Sequence, residues 1–144
     1  MTGPAPDDDR PSRDRRQRGV AAYSRIFGVA EQDLPVAFAA RVGPVFAEEA
    51  YQAVGGAAWS HPALSGRDRS IAIITALTAQ GVSGDRLVTH LRLARQHGLD
   101  TDALTALMTL LAPYLGLPRA SLAMETVHHL PDEANSPVPT KETP

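Results

Sequence analysis

The five histidines are the side chains of this 144-residue sequence best suited to proton transfer, because imidazole titrates near neutral pH. His90 and His97 fall in one helical segment, seven residues apart and beside an apolar stripe. This spacing separates them by about 10 Å along the helix axis, too far for two ligands of one metal ion. On the residues alone, His90 is either a hydrogen-bonded histidine at the core edge or an acid–base group. His97 suits the C-terminal end of a helix, where a cation is favoured.

A second group of candidate residues precedes this helix. His61 stands in a predicted loop from Trp59 to Ser65, and loops beside an aromatic side chain often form binding pockets. Trp59 fits a position in the core equally well. The remaining pair, His128 and His129, are sequence neighbours and point about 100° apart on a helix, so we expect them on the surface.

Composition excludes several classes of chemistry. The sequence contains no cysteine, which excludes disulfides, thiolate metal sites and cysteine nucleophiles. A net charge of −2 argues against nucleic acid as a partner, since neutralising phosphates takes a basic surface. The sequence has no apolar run of about 18 residues and no apolar leader segment. We therefore expect no membrane partner and a cytoplasmic location.

The elements that position these residues are predicted to be helices. The sequence has 23 alanines and no alternating β-branched run, which favours an all-α, single-domain bundle of about six helices. Residues 1–12 and 131–144 are predicted to be disordered tails because they are rich in proline and charge. Residues 13–130 are then the folded domain.

Two of these helices have clear boundary signals. Ser65 and Asp68 are predicted to form a capping box that opens a helix with apolar residues on nearly all sides, which we expect to be the central buried helix. A later helix, capped by Asp100 or Thr101, is expected to kink or end at Pro113, which lacks the backbone donor.

Three stretches, in order along the chain, resemble the carboxymuconolactone decarboxylase family, a relative of the thiol alkylhydroperoxidases. Trp-Ser-His-Pro-Ala-Leu at 59–64, followed by Arg-Asp-Arg-Ser at 67–70, is similar to the family's Trp-Ser-Arg-Pro-Gly-Leu and Arg-x-Arg-Ser. His-Leu-Arg-Leu-Ala-Arg-Gln-His-Gly at 90–98 is similar to His-Val-Arg-x-Ala-x-x-x-Gly. Tyr-Leu-Gly-Leu-Pro-Arg-Ala at 114–120 is similar to Tyr-x-Gly-x-Pro-x-Ala.

The resemblance implies an alkylhydroperoxidase-like helical fold that assembles as a homo-oligomer, commonly a trimer or hexamer, and works without metal or organic cofactor. It implies a small-molecule substrate, with His90 on the family's histidine as the catalytic residue. His61, Trp59, Arg69 and His97 are then expected to contact substrate, although a salt bridge at the helix start accounts for Arg69 equally well. Since so short a domain with few aromatic residues can scarcely enclose a pocket alone, we expect the site near a subunit interface.

The sequence also departs from the family pattern. The family's decarboxylases often read Trp-Gly-Glu-x-Trp where this chain has Gly55-Gly56-Ala57-Ala58-Trp59, so one aromatic residue and the carboxylate are missing. His61 stands where the family has arginine, and His97 stands at an asparagine-like position. The peroxidase branch needs a Cys-x-x-Cys before the histidine, so thiol peroxidase activity is not expected.

These features indicate a cofactor-free lyase, or a related isomerase or cyclase, that acts on a lactone, β-keto acid or enol in bacterial secondary metabolism. The γ-carboxymuconolactone decarboxylase reaction of aromatic catabolism is the first alternative. A non-catalytic helical assembly or binding module is the second.

Overall fold

The computed structural model describes residues 10–131, which form eight helices and no strand. The helices are α1 (Arg10–Phe27), α2 (Leu34–Val42), α3 (Pro44–Val54), α4 (Ala57–Ser60), α5 (Gly66–Ala79), α6 (Asp85–Gln96), α7 (Thr101–Leu115) and α8 (Leu117–His129). The all-α prediction is confirmed, with more helices than the six expected. Nearly all of the two predicted tails lies outside the described residues. Each helix within residues 10–131 is too short or too polar to cross a bilayer.

The chain divides into two compact units, and the boundary lies between Arg69 and Ser70, inside α5. The core of the first unit comes from one face each of α1, α2 and α3. The buried apolar residues that form its main cluster are Val20, Leu34, Phe38, Ala47 and Tyr51, and Ala22 and Ile26 of α1 are buried as well.

Helices α1 and α3 approach each other closely because two glycines leave room for backbone. A Cβ atom on Gly19 would lie 2.0 Å from the carbonyl oxygen of Tyr51, and one on Gly55 would lie 1.8 Å from that of Arg15. The Nε atoms of Arg15 and Arg18 donate to carbonyls at the C-terminal end of α3, each at 2.7 Å. The arginine-rich start of α1 therefore stabilises the negative end of a helix dipole.

The second unit has a larger apolar core, built from α6, α7 and α8 with one residue of α5. Its buried residues are Ile74, Leu87, Leu91, Ala94, Leu99, Leu104, Met108, Leu111, Ala123, Val127 and Leu130. Asp100 caps α7 as predicted, accepting a hydrogen bond from the backbone N–H of Ala103 at 2.8 Å.

We expected α7 to kink or end at Pro113, but the helix continues past this residue to Leu115. Pro113 lies in the last turn and its side chain is exposed. A proline there removes one hydrogen bond close to the helix end, where few bonds remain to be lost.

The prediction that α5 is the central buried helix is wrong for the single chain. Only Ser70, Ile74 and Thr78 of α5 are buried, whereas Ala72 and Ala76 are exposed. These buried positions recur every four residues, and Ile71 and Leu77 beside them are partly buried against the core of the second unit. One side of α5 is therefore covered and the opposite side is exposed.

Candidate active site

The first group of predicted site residues lies in and after α4. Trp59 is half-buried in this one-turn helix, which replaces the start of the loop predicted from Trp59 to Ser65. The loop begins only at His61, the residue that follows α4, and the His61 side chain is exposed. The Trp59 ring is therefore held on a helix, while the imidazole of His61 is presented by the loop.

The start of α5 is fixed by the predicted capping box. The hydroxyl of Ser65 accepts from the backbone N–H of Asp68 at 3.1 Å, and the Asp68 carboxylate accepts from the backbone N–H of Ser65 at 3.0 Å. Hydrogen bonds that Ser65 donates to the carboxylate lower the pKa of Asp68, so this group is charged at neutral pH. The capping box prediction is confirmed, and α5 begins from a fixed turn.

Arg69, in the first turn of α5, bonds back to the loop. Its Nη2 atom donates to the backbone carbonyl of His61 at 2.7 Å. Its Nε–H is buried and has no acceptor in the part of the chain that the structure describes. The guanidinium of Arg69 thus bonds to the loop, and within the described residues it does not form the salt bridge that the sequence also allowed.

The imidazole of His61 also has an internal partner. The backbone N–H of Ala63 donates to His61 Nδ1 at 3.2 Å. An imidazole nitrogen that accepts a hydrogen bond carries no proton, so this contact requires the neutral ring to hold its proton on Nε2. His61 is thus held through both its backbone carbonyl and its ring.

His90 lies on α6 and is half-buried, at the edge of the core as expected. Burial lowers the pKa of His90 below its ordinary value of 6.5, because desolvation disfavours the imidazolium. No hydrogen bond from its ring to any group in residues 10–131 is recorded, so the expected structural hydrogen bond is not observed. Its neutral form is therefore favoured, and no partner within residues 10–131 engages its ring nitrogens.

His97 has a structural partner that the sequence did not indicate. Its Nδ1 atom lies 2.8 Å from the hydroxyl oxygen of Ser70, and the two residues are 27 positions apart. Ser70 is only 3% exposed, and His97 is the C-terminal cap of α6. This hydrogen bond joins the end of α6 to α5, so His97 has a positioning role in the second unit.

The remaining two histidines are exposed. His128 and His129 are both on the surface of α8, as predicted. Among the carboxylates, which the sequence did not single out, Glu48 forms an ion pair with Arg16 at 2.6 Å. The described residues contain no group of three or more histidine, aspartate or glutamate side chains able to hold a metal ion.

Two of the predicted site residues thus form hydrogen bonds that the sequence did not predict. His61 is held by Arg69 and by the backbone of Ala63 in the first unit, and His97 is held by Ser70 in the second. The Ser70–His97 pair had no signal in the sequence, because 27 residues separate the partners and neither alone suggests the other.

Comparison with known proteins supports the three motifs noted in the sequence. The model of the carboxymuconolactone decarboxylase family matches residues 47–128, more than half of the chain. Comparisons with curated proteins and with solved structures return no match. The matched range contains His61, Arg69, His90 and His97. The chain therefore belongs to the carboxymuconolactone decarboxylase family.

Proposed function

We propose that this protein is a cofactor-free decarboxylase-like enzyme that acts on a lactone, β-keto acid or enol, with His90 as its acid–base residue. The observation that carries the proposal is the state of His90, a half-buried imidazole with a lowered pKa and no recorded internal hydrogen bond. Groups with perturbed pKa values and free polar atoms are typical of catalytic sites. Family membership supplies the reaction class.

The chemistry needs one proton for each turnover. The bond between the carboxylate and its neighbouring carbon breaks, CO₂ leaves, and the electron pair moves toward an adjacent carbonyl to form an enolate. The imidazolium of His90 then gives its proton to carbon, and solvent returns a proton to the ring. A lowered pKa makes the imidazolium a stronger acid, which favours this proton transfer.

The departures from the family pattern support a substrate other than the small lactone of aromatic catabolism. Ala57 and Gly55 stand where family decarboxylases often have a carboxylate and an aromatic side chain, which leaves a wider and less acidic site. We propose a tailoring step in bacterial secondary metabolism. A thiol peroxidase reaction is not proposed, since these 144 residues contain no cysteine.

We also propose that the protein works as a homo-oligomer, a trimer or hexamer, with the site near a subunit interface. Large apolar side chains are exposed in each unit of the single chain, and such surfaces commonly mark protein contacts. In the second unit they include Leu110, Tyr114 and Leu117, exposed by 61%, 80% and 73%. Val36, Val45 and Phe46 are similarly exposed in the first.

The experiment is an assay of CO₂ release and substrate loss on a panel of lactone carboxylates and β-keto acids, with light scattering to check the assembly. We expect wild type to convert at least one compound, and His90→Ala to lower kcat/KM by about 100-fold or more. The matched control is His128→Ala, which removes an exposed histidine from α8.

Each other outcome contradicts part of the proposal. Equal conversion by wild type and His90→Ala would remove His90 from the reaction. No conversion of any compound by wild type would favour a non-catalytic helical module. If wild type prefers γ-carboxymuconolactone to every larger substrate, the protein acts in aromatic catabolism, and the proposed tailoring step in secondary metabolism is wrong.

A further inference from the structure

The hydroxyl of Thr78, on α5, is buried in the second unit without a hydrogen-bond partner. The Thr78 side chain is 1% exposed, and its Oγ1 atom has no partner in the part of the chain that the structure describes. A buried hydroxyl left unpaired is unfavourable, and a threonine inside a helix can avoid this by bonding to a carbonyl of the preceding turn. A buried group that stays unpaired therefore indicates a role for its hydroxyl.

Thr78 can be placed against α6 because α5 and α6 are antiparallel neighbours. Only residues 80–84 connect them at one end, and the 2.8 Å hydrogen bond between Ser70 and His97 joins them at the other. Thr78 follows Ser70 by eight residues, about 12 Å along α5. His90 precedes His97 by seven residues, about 10 Å along α6. Thr78 and His90 therefore lie at the same level of this helix pair, within the second unit.

The two histidines of α6 also point to the same side of that helix. Seven residues make almost two complete turns, so His90 and His97 differ by only about 20° around the axis. Because His97 contacts α5 through Ser70, the half-buried ring of His90 is directed toward α5 as well. On α5, Thr78 belongs to the buried stripe that begins with Ser70. The helix pair thus has a buried hydroxyl and a half-buried imidazole at two successive levels.

We propose that Thr78 is a positioning residue for His90, and that its Oγ1 atom accepts a hydrogen bond from Nδ1–H of the His90 ring. This inference rests on the proposed function, in which His90 transfers a proton. Neither group has a hydrogen bond within residues 10–131, so rotation of the imidazole about its side-chain bonds forms the pair without breaking another contact.

The pair determines which ring nitrogen performs the chemistry. With Nδ1 bonded to Thr78, the proton that reaches the substrate carbon leaves from Nε2 of His90. A hydroxyl oxygen accepts from Nδ1–H both in the imidazolium and in the neutral ring that remains after this transfer. The ring therefore keeps its orientation throughout the proton transfer.

Long-range ¹H–¹⁵N spectra of the full-length protein, at a pH where His90 is neutral, test the hydrogen bond without any substrate. A free imidazole side chain favours the proton on Nε2, whereas the proposed bond favours Nδ1–H. We expect mainly Nδ1–H in wild type and in Thr78→Ser, which keeps the hydroxyl. Thr78→Val, of nearly the same shape, should return the proton mainly to Nε2. Thr75→Val, at a half-buried position of the same helix, is the matched control.

Kinetics on a converted substrate test the positioning role. We expect Thr78→Val to lower kcat by about 10-fold or more with little change in KM, because a misoriented ring affects the proton transfer and not substrate binding. Thr78→Ser should stay within a few-fold of wild type. Circular dichroism checks that both variants are folded.

The opposite results overturn the inference. A wild-type proton on Nε2, or an Nδ1–H tautomer that persists in Thr78→Val, would reject the hydrogen bond whether or not the protein is active. Equal effects of Thr78→Ser and Thr78→Val would assign the effect to side-chain volume. If the tautomer follows the hydroxyl but wild type and His90→Ala convert the substrate panel equally, the hydrogen bond is supported and the proposed function fails.

Discussion

At the residue scale, the three candidate histidines differ in what holds their rings. His61 accepts from the backbone of Ala63, His97 lies against the hydroxyl of Ser70, and the ring of His90 has no recorded hydrogen bond within the described residues. A partner at Nδ1 orients a ring and leaves its Nε2 available, so these contacts hold His61 and His97 in place. His90 differs from both because burial lowers its pKa, and this is why it is the proposed acid–base residue.

The Ser70–His97 pair should respond asymmetrically to truncation. Ser70 is buried, so His97→Ala strands its hydroxyl and should lower the free energy of unfolding by about 1–3 kcal/mol. Ser70→Ala should cost about 1 kcal/mol, because the half-buried ring of His97 can turn to water. Urea unfolding of both single variants and the double variant measures the coupling. His129→Ala is the control, and purely additive effects would show that the pair contributes nothing.

At the element scale, the contact between α1 and α3 is the tightest feature of the first unit. Gly19 lets the backbone of Tyr51 approach, and the guanidinium groups of Arg15 and Arg18 bond to the end of α3. The arginine-rich segment is thus engaged in helix capping.

Gly19→Ala should destabilise this contact, although alanine is the better helix former. The new Cβ would lie 2.0 Å from backbone oxygen, which cannot rotate away. We expect a loss of about 2 kcal/mol or more in the free energy of unfolding, the scale of overpacking in a core. Thermal denaturation followed by circular dichroism measures it, with Gln17→Ala at an exposed position of α1 as the control. A stability equal to that of the control would contradict the close approach.

The sequence predicted elements best where local chemistry decides them. The caps at Ser65–Asp68 and Asp100 were found because each involves residues three positions apart. The burial of α5 was not predicted correctly. A helix with apolar residues on nearly all sides has no polar face, so its sequence does not indicate which side is buried in the single chain. The contact of His97 was missed because tertiary packing selects a partner 27 residues away. The contacts of His61 are local, but they depend on the conformation of the loop, which the sequence pattern does not specify.

At the scale of the whole molecule, the single chain exposes large apolar side chains to solvent. Leu110 and Tyr114 lie four residues apart on α7, so they occupy one face. Ala72 and Ala76 of α5 are exposed in the same way. Burial of such faces between copies of the chain is the physical basis for the proposed oligomer.

Charge on the α7 face should disrupt this assembly. We expect wild type to elute as a trimer or hexamer in size-exclusion chromatography with light scattering, and the Leu110→Asp/Tyr114→Asp variant as a single chain, because buried carboxylates without partners are costly. Arg92→Asp, at an exposed position of α6, is the control. A variant that keeps the wild-type mass would place the interface elsewhere, and a monomeric wild type would reject the oligomer.

The pH dependence of kcat/KM, compared between wild type and His90→Gln on a converted substrate, tests the central claim most directly. This parameter reports groups of the free enzyme. Desolvation lowers the pKa of His90 below 6.5, and the proposed decarboxylation uses its imidazolium as the proton donor. We predict that wild-type kcat/KM falls as pH rises through a midpoint below 6.5, and that His90→Gln lacks this transition. A rise with pH through the same midpoint, or the same transition in His90→Gln, would contradict the assignment of His90 as the proton donor.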